Sequence, residues 1–442
     1  MTYKTYKSYK DSGINLMEKI PKCWDVFKLK FLINSLESGK RKDFEDEDYA
    51  FSLGGEHINW DGTLNLTNKR FLSKEFYDTM NSGKVETNDI LLVKDGATIG
   101  KTAFVEDLNF KMAVNEHVFI IRNNKLICPK FLYYLISSSI GFSQIKLTET
   151  GSAQGGINQS IKDKVLFAIP LNIGEQYYLA NYLDEKTSEI DDNIAKNKEL
   201  INLLEEKKAV LINQVVTKGL NPNVSMKNSG IGWIGEIPEH WDVVLFKRLF
   251  DNIKDGTHGS FERVSEGKYL LSAKNIFNNK INISENESLI SNSDYESIVS
   301  NGFPKKGDLL LTIVGTIGRS CVYEEDFPLA FQRSVAFIRL NYDNSYFFNY
   351  FVKSIMFLTQ LELKAKESAQ KGVYLSDIKD CFIIKPPLEE QEDIVKYLDT
   401  NVSTLEKTIE KINKQIALLE EYKSSLIHHV VIGKIDVREE EI

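Results

Sequence analysis

Polar loops that contain glycine recur in both halves of this chain, and their side chains are of the types that bind nucleic acid. Arg, Lys, Asn and Gln hydrogen-bond to base edges in the major groove, while Lys, Ser, Thr and backbone N–H groups bind phosphates. Taken singly, each loop is better explained as a solvated turn, so only the whole set favours DNA. The candidates in the first half are Lys40, Arg41, His57, Lys101, Ser152 and Gln154. Those in the second half are Thr257, His258, Lys274, Asn275, Arg319, Ser368, Gln370 and Lys371.

The glycine-rich turn GATIGKT, which begins at Gly96, is close to a phosphate-binding loop but does not match it. The GxxxxGK[ST] spacing lets successive backbone N–H groups surround a phosphate, and this turn is one residue too short. The corresponding GTIGRS, from Gly315, has lost a further residue and the lysine. What both copies keep is typical of a tight turn between strands, so we do not expect ATP to bind here.

Other catalytic and metal-binding patterns are missing from the sequence. His428 and His429 are adjacent on a predicted helix, where they point in directions about 100° apart, and the other histidines stand singly. The sequence also lacks a glycine-rich S-adenosylmethionine loop, the [ND]PP[YFW] motif of amino-methyltransferases and a convincing nuclease motif. We therefore expect a non-catalytic protein with no metal or cofactor of its own.

The composition is that of a globular protein with more than one domain. Of the 442 residues, 42% are hydrophobic and 27% are charged, and no apolar run has the length of a signal-peptide core or a membrane span. This predicts a cytoplasmic protein. The net charge of -8 argues mildly against nucleic-acid binding, but charge can be distributed unevenly along a chain. We expect buried or partly buried thiols, without disulfides, at the widely spaced Cys23, Cys128, Cys321 and Cys381.

The chain is an internal repeat with a period of about 216 residues. The segment DSGINLMEKIPKCWDV, from Asp11, returns as NSGIGWIGEIPEHWDV, from Asn228. The segments NDILLVKDGATIGK, VNEHVFIIR and SAQGGINQSIKD return in the same order as GDLLLTIVGTIGR, FQRSVAFIR and SAQKGVYLSDIKD. Each half therefore contains a globular part, a proline-containing junction and a long polar helix.

Each long helix has an apolar seam whose residues are alternately four and three positions apart. This spacing, kept for about four heptads, predicts a coiled coil. A single amphipathic helix lying on its own domain would also explain the seam, but such a helix usually has a wider apolar face. Two copies of one unit tend to pack about a two-fold axis, which favours antiparallel over parallel pairing. The seam residues are Ile190, Ile194, Ile201, Leu204 and Leu211, and then Leu405, Ile409, Ile416, Leu419 and Leu426.

The globular parts contain short apolar runs rich in β-branched and aromatic residues, such as DILLVKD, HVFIIR, DLLLTIV and SVAFIRL. Gly, Asn and Asp separate these runs, which predicts strands and turns. FLYYLISS, from Phe131, and FNYFVKSIMFL, from Phe348, are typical of helices. The predicted fold class is α+β, with two repeated α+β domains joined by a long antiparallel two-helix coiled coil.

The order of these motifs resembles the specificity subunits of type I restriction-modification enzymes. The resemblance runs from about residue 11 to about residue 436, and its most specific parts are PPLEEQEDIVKYLD and LIHHVVIGKIDV. One departure is the first junction, IPLNIGEQ, which lacks a proline and has two extra residues, and this leaves the start of the first helix in doubt. The resemblance implies target recognition domains at residues 11–170 and 228–387, conserved helices at 175–216 and 390–431, and a linker at 217–230.

The resemblance also implies a function and a set of partners. In that family each recognition domain reads one half of a bipartite DNA sequence, and the helices set the gap and bind two methyltransferase (M) subunits, which carry S-adenosylmethionine and methylate adenine. Restriction (R) subunits that use ATP and Mg join them to cleave foreign DNA. The residues alone leave two other classes open. A fused enzyme would need the missing catalytic motifs, and a scaffold that binds only protein would not bind DNA.

Overall fold

The structure, a computed structural model, describes residues 3–14, 16–40, 49–67, 70–150, 155–365 and 371–439. The chain forms two compact units: unit 1 is Met1–Asn197 with Lys414–Ile442, and unit 2 is Lys198–Asn413. Each unit contains one globular part and a piece of both long helices. The residue boundaries of the two recognition domains stay predictions.

The elements of the first half follow the predicted alternation of short strands and helices. The strands are β1 Tyr9–Ile14, β2 Met17–Pro21, β3 Trp24–Lys28, β4 Ile33–Ser38, β5 Ala50–Leu53, β6 Phe71–Leu72, β7 Ile90–Val93, β8 Thr102–Phe104, β9 Met112–Val114, β10 Val118–Asn123 and β11 Leu166–Pro170. The helices are α1 Lys74–Thr79, α2 Pro129–Ser137, α3 Ser139–Lys146, α4 Ile161–Lys164 and the long α5 Ile173–Lys218.

The second half has a similar series. Its strands are β12 Met226–Asn228, β13 Glu236–Pro238, β14 Asp242–Leu245, β15 Phe250–Asp255, β16 Lys268–Leu271, β17 Ile276–Phe277, β18 Lys280–Ile281, β19 Leu289–Ile290, β20 Leu309–Thr312, β21 Ser320–Val322, β22 Ala330–Phe331, β23 Val335–Leu340 and β24 Phe382–Lys385. Its helices are α6 Asn292–Ser300, α7 Ser345–Phe351, α8 Ile355–Lys364, α9 Leu375–Lys379 and the long α10 Leu388–Val431.

A four-stranded antiparallel sheet forms the centre of each globular part. Its strand order is β4-β10-β7-β8 in unit 1 and β15-β23-β20-β21 in unit 2. The apolar runs DILLVKD and DLLLTIV form β7 and β20, which are buried along their whole length. A smaller sheet with one parallel pair, β5-β9 or β16-β22, accompanies each. The sequence repeat is thus a repeat of topology, and the predicted α+β fold is confirmed.

The helical segment FNYFVKSIMFL contains the end of one helix and the start of the next. The side chain of Ser354 accepts a hydrogen bond from the N–H of Phe357 and so caps α8, which begins at Ile355. Ser138 caps α3 in the same way at the corresponding position of unit 1. The apolar spacing of this segment alone does not reveal the break, because buried aromatic residues, Phe351 and Phe357, lie on both sides of it.

A buried tryptophan ties each long helix to its globular part. The indole N–H of Trp24 donates to a carboxylate oxygen of Glu175 at 3.1 Å, and that of Trp241 donates to Glu390 at 3.0 Å. Both tryptophans are fully buried. The WDV motif and the Glu of the EQ motif, which the sequence repeats, therefore form one contact in each unit.

The glutamine of the EQ motif fixes the start of each long helix. Gln176 is fully buried, accepts the N–H of Cys128 at 2.9 Å and donates to the carbonyl of Pro170 at 2.8 Å. Gln391 makes the same two types of bond, to Asn344 and Pro386, both at 2.9 Å. Each helix begins three residues before its glutamine. The longer first junction is accommodated in the loop before α5, and the helix starts at the same place relative to the motif.

The two long helices pair in antiparallel fashion. In unit 1, Glu175 at the start of α5 lies 3.8 Å from Arg438, just beyond α10, and Asp191, further along α5, pairs with Lys423 at 2.5 Å. In unit 2, Lys208 of α5 lies 3.8 Å from Glu406 of α10. In the same unit, Gly219, just after the end of α5, and Glu390, near the start of α10, line one cavity. In both units α5 and α10 run in opposite directions, which confirms the predicted orientation.

The seam residues are the less exposed positions of both helices. Ile190, Ile194, Ile409, Ile416 and Leu426 are buried. Ile201, Leu204, Leu211, Leu405 and Leu419 are half-buried. By contrast, the neighbouring Leu203 and Leu418 are 55% and 64% exposed. The seam positions therefore lie on the side where the helices pack.

Three of the four cysteines are buried, whereas Cys23 is exposed, contrary to the expectation from sequence. Cys23 lies in the turn between β2 and β3, where its backbone positions the buried Trp24 and its own side chain faces solvent. Burial raises the pKa of the Cys321 and Cys381 thiols to about 12. In the residues that the structure describes, no helix is long and apolar enough to cross a membrane.

Adjacent leucines on α10 test the seam directly. Leu419→Asp should lower the free energy of unfolding by about 2–3 kcal/mol, because it places a carboxylate in the packed side of the helix. Leu418→Asp should change it by less than about 0.5 kcal/mol, since Leu418 is exposed. Leu204→Asp and Leu203→Asp give the same comparison on α5. Urea unfolding of the four variants measures the differences, and equal losses within each pair would show that the seam is not the packed face.

Candidate functional site

One edge of each central sheet carries most of those predicted DNA-binding residues that the structure describes. In unit 1 this edge is formed where β4 and β7 end and β8 and β10 begin, with loops at residues 39–40, 94–101 and 115–117. Neighbouring strands run antiparallel, so these four strand ends meet at the same edge. In unit 2 the corresponding loops are residues 256–260, 313–319 and 332–334. We call this edge the loop end of each unit.

A glycine after the first strand of each sheet lets two of these loops approach closely. A Cβ atom on Gly39 would lie 1.5 Å from the carbonyl oxygen of Val114, and one on Gly256 would lie 2.1 Å from that of Phe331. Any larger residue would push the loops apart. The glycines therefore place Lys40 and Thr257, which follow them, beside the loop that precedes β10 or β23.

The tight glycine turns bond to residues that follow the Ser-Ala-Gln segments. The N–H of Gly96 donates to the carbonyl of Gly155 at 3.3 Å, and that of Gly315 donates to the carbonyl of Lys371 at 3.1 Å. Both turns connect neighbouring strands, as predicted for GATIGKT and GTIGRS. Arg41, Ser152, Gln154, Ser368 and Gln370 lie outside the described residues.

Several of the candidates at the loop end present their side chains to solvent. Lys40, His258, Arg319 and Lys371 are exposed, and Thr257 is half-buried. His258 Nε2 lies 2.8 Å from a carboxylate oxygen of Asp255.

Lys101 has a different environment from Arg319, its counterpart in the repeat. The Lys101 ammonium lies 5.8 Å from the ring centre of Trp60, and the side chain is half-buried. An ammonium in this position interacts with the ring face and is less able to reach a ligand. The loop ends of the two units therefore differ in chemistry at equivalent positions.

His57 and Asn275 do not face solvent, so their predicted contact with DNA needs correction. They are 1% and 2% exposed. His57 Nδ1 accepts the N–H of Gly54 at 2.9 Å, and Asn275 Oδ1 accepts the N–H of Ser272 at 2.9 Å. Each side chain closes a short 3-10 helix and supports the loop rather than contacting a ligand. A polar residue in a glycine-containing loop has the same sequence signature in either role.

Lys274 is exposed, and its ammonium lies 2.8 Å from the buried carboxylate of Glu287. Burial alone would raise the pKa of the Glu287 carboxyl, but hydrogen bonds from Lys274, Asn275 and the N–H of Ser288 outweigh it and hold that pKa below its usual value. The carboxylate is therefore charged at neutral pH, and Lys274 is already engaged within its own unit.

Arg333 is an additional candidate that the sequence reading missed. Its side chain is exposed at the loop end of unit 2, and its backbone N–H donates to the carbonyl of Thr257 at 2.9 Å. The counterpart of FQRS is VNEH, which places Glu116 at the equivalent position. The sequence did hold a signal for Arg333, since the two copies differ at this position. Such a difference is expected where each copy binds different bases.

The loop ends combine hydrogen-bond donors with backbone held by the sheet, which suits binding of a ligand. Within the described ranges, no group of three or more His, Cys, Asp or Glu residues is placed to hold a metal ion. Arg319 and Arg333 can each donate two parallel hydrogen bonds to a guanine edge or a phosphate. His117, 3.2 Å from Asp95, occupies the same edge of unit 1.

Comparisons with known proteins agree with this arrangement. The sequence model of the family described as type I restriction modification DNA specificity domain matches residues 238–418. The MjaVIII specificity subunit of a type I restriction enzyme from Methanocaldococcus jannaschii is 25% identical over 447 residues, which cover 97% of each chain.

Two solved structures share the fold along most of the chain. A chain from a structure of type I R-M system assembly and conformational transition gives a TM-score of 0.70 at 16% identity, and covers 94% of this chain and 99% of that one. The HsdS subunit from Thermoanaerobacter tengcongensis gives 0.50 at 15% identity, with 94% and 98% covered. The repeated motifs, the two units built on one topology and these relatives agree: residues 238–418 match a type I restriction modification DNA specificity domain, and the whole chain is similar to specificity subunits of type I restriction enzymes.

Proposed function

We propose that this chain is the DNA-binding specificity subunit of a type I restriction-modification complex. Each unit reads one half of a bipartite DNA sequence through its loop end. The chain recruits methyltransferase and ATP-dependent restriction subunits, which methylate adenine or cleave foreign DNA. The observation that carries this proposal is that two units with the same strand order present different side chains at equivalent positions of the same edge.

The differences between the loop ends support two unlike half-sites. Unit 2 presents Arg319 and Arg333 where unit 1 has Lys101 and Glu116. An arginine is the commonest side chain to read guanine, whereas a carboxylate accepts from the cytosine amino group and repels phosphates. The two edges therefore favour different bases. When both half-sites are bound together, their preferences for the correct sequence multiply, since the contributions of about 1–3 kcal/mol from each correct base add.

The long helices offer surface for protein partners. Leu200, Leu203 and Val210 of α5 are 44%, 55% and 50% exposed, and Leu418 of α10 is 64% exposed. Exposed leucines three residues apart form an apolar strip outside the seam, which supports docking of a methyltransferase subunit. In this proposal the chemistry belongs to the partners, with S-adenosylmethionine in the methyltransferase and ATP with Mg in the restriction subunits.

Mapping of methylated adenines tests the proposal. The chain is co-expressed with the methyltransferase subunit from the same host, and the modified sequence is determined. The expected result is one bipartite sequence with a fixed gap. Methylation of the same sequence without this chain, or absence of DNA binding by the complex, would contradict the function.

Exchange of one recognition domain tests the independence of the two readers. Replacement of residues 237–387 by the corresponding segment of a relative should change one half-site and leave the other, because the proposed readers of the first half-site lie in unit 1. Methylation mapping shows the outcome. A change in both half-sites would mean that the two units do not read DNA separately.

Two arginines should carry much of the affinity for the second half-site. Arg319→Ala and Arg333→Ala should each weaken binding by about 1–3 kcal/mol if the arginine reads a base. If the arginine binds phosphate, its substitution should instead lower the affinity for all sequences. It should also reduce the slope of log affinity against log salt by about one. Arg248→Ala is the matched control, since Arg248 is exposed at the opposite edge of the same sheet. Affinities equal to that of the control would remove these arginines from the site.

The purified chain by itself should neither methylate DNA nor hydrolyse ATP. The sequence lacks the loops that hold S-adenosylmethionine or ATP. Radiolabelled methyl transfer and phosphate release are the measurements, with the assembled complex as the positive control. Turnover by the chain alone that disappears on a single substitution in it would show a catalytic centre here.

A further inference from the structure

A polar cavity of about 620 Å³ lies in unit 2 next to the turn that carries Arg319. Its wall is formed by the hairpin of β17 and β18, the start of β21, the end of α7 and the two long helices. The residues important for its chemistry are Lys208, Asn279, Arg319, Tyr350, Lys353 and Glu406. All belong to unit 2.

The equivalent place in unit 1 carries a pair of aromatic rings, one of them largely exposed. Trp60, at the tip of the corresponding hairpin, packs against Phe142 with ring centres 5.9 Å apart. The two hairpins correspond because the same backbone bond closes each, from Asn65 to His57 and from Asn282 to Asn275. The side chains at the two corresponding places therefore differ.

The repeat also identifies the substitutions that open the cavity. A Cβ atom on Gly100 would meet Phe142, and one on Gly318 would meet Leu358, so Leu358 takes the place of the ring. Ser137 and Lys353 occupy corresponding positions, because each directly precedes the serine that caps the next helix. The second unit thus has a lysine where the first has a serine, and it has Leu358 in place of the Phe142 ring, while Phe277 and Tyr350 line the cavity.

Lys353 extends into this cavity without a carboxylate partner among the described residues. Its ammonium donates to the side-chain oxygen of Asn349 at 2.9 Å and to that of Asn279. The titratable and charged groups that face it are Cys321 of β21, Glu406 of α10, Lys208 of α5 and, at 5.8 Å, the ring of Tyr350 on its own segment. Burial lowers the pKa of Lys353 to about 7. A half-buried lysine with a lowered pKa that lines a cavity is a candidate for ligand binding.

The two carboxylates of the cavity share one lysine. Lys208 lies 2.6 Å from Glu205 and 3.8 Å from Glu406. These pairs leave Arg319 and Lys353 as the cationic donors for an incoming group. In the part of the chain that the structure describes, the guanidinium of Arg319 has no ion pair. A group with several acceptor oxygens and a negative charge complements this pair.

We propose that this cavity of unit 2 binds a phosphate oxyanion between Arg319 and Lys353. The phosphate can come from the DNA backbone or from a free phosphate compound, and both present the same oxygens. The DNA source rests on the proposed function, whereas the free source does not. Among the described residues of unit 1, the equivalent place carries Ser137 instead of the lysine and the Trp60 ring.

Binding at this site takes up a proton. A bound oxyanion favours the ammonium form of Lys353 and raises its pKa above the value in the free protein. Affinity is therefore greatest below about pH 7 and falls by up to about tenfold for each further pH unit until the pKa of the bound state is reached. An ordinary surface lysine would give no such dependence in this range.

The first measurement uses inorganic phosphate as the probe and the complex of this chain with its methyltransferase subunits. Isothermal titration calorimetry at several pH values should show binding that weakens above about pH 7 once the second ionisation of phosphate itself has been corrected for. Lys353→Ser, which copies unit 1, should abolish it. Lys353→Met, which keeps the length of the side chain, provides a second variant should the serine variant fail to fold. Lys247→Ser is the control, since Lys247 is exposed and pairs with Asp380.

The second measurement is the salt and pH dependence of DNA binding by the same complexes. If a DNA phosphate occupies the cavity, Lys353→Ser and Lys353→Met should reduce the slope of log affinity against log salt by about one and remove the pH dependence near neutrality. Inorganic phosphate binding that needs Lys353, with an unchanged DNA slope, would assign the site to a free phosphate compound.

The proposal is overturned if Lys353 variants that fold alter neither phosphate binding nor the DNA slope. Failure of the proposed function has a different signature, because the unmodified complex would then not bind DNA at all while phosphate could still be titrated. The Lys247→Ser control separates loss of one positive charge from loss of this site.

Discussion

A single buried hydrogen bond, from an indole N–H to a glutamate at the first turn of a long helix, orients each half of the protein. The indole N–H of Trp24 or Trp241 has no access to water, so loss of its acceptor would leave a buried donor unsatisfied. The glutamate is also favoured where it lies, because the positive end of the helix dipole stabilises a negative charge there. The adjacent glutamine binds the segment that enters α2 or α7. Helix, sheet and entering segment are thereby fixed together, and the loop end is held at a defined place relative to its own helix.

The sequence was sufficient to predict the framework because each framework residue appears twice. The antiparallel coil, the strands β7, β10, β20 and β23 and the turns between them follow from the spacing of apolar residues and from the repeat. Arg122 and Arg339 illustrate why the motifs persist, since each makes an ion pair with the aspartate before β7 or β20, at 2.8 Å in both cases. The repeated motifs are those whose side chains hold the fold.

The loop end was harder to predict, for a physical reason. A side chain that binds a ligand and one that supports a loop are both polar and both follow glycine, as His57 and Lys40 do. Only burial separates them, and burial depends on contacts between residues distant in sequence. The break before α8 was missed because a serine cap depends on one hydrogen bond that apolar spacing does not record. Arg333 was missed because it differs from its counterpart, and a search for what repeats passes over what changes.

The way the long helices pair has a consequence for how the protein is made. Unit 2 is one continuous stretch of chain, and its Trp241 and Glu390 are 149 residues apart. Unit 1 is assembled from both ends, and the contact between Asp191 and Lys423 spans 232 residues. During synthesis, the start of α5 emerges with Ile190 and Ile194 uncovered and stays so until α10 has been completed. Long-range contacts form slowly, and apolar surface exposed in the meantime promotes association with other chains. Although unit 1 contains the first globular part to be translated, it is the last to be completed, and a chain interrupted before α10 would leave the ribosome with its helix seam exposed.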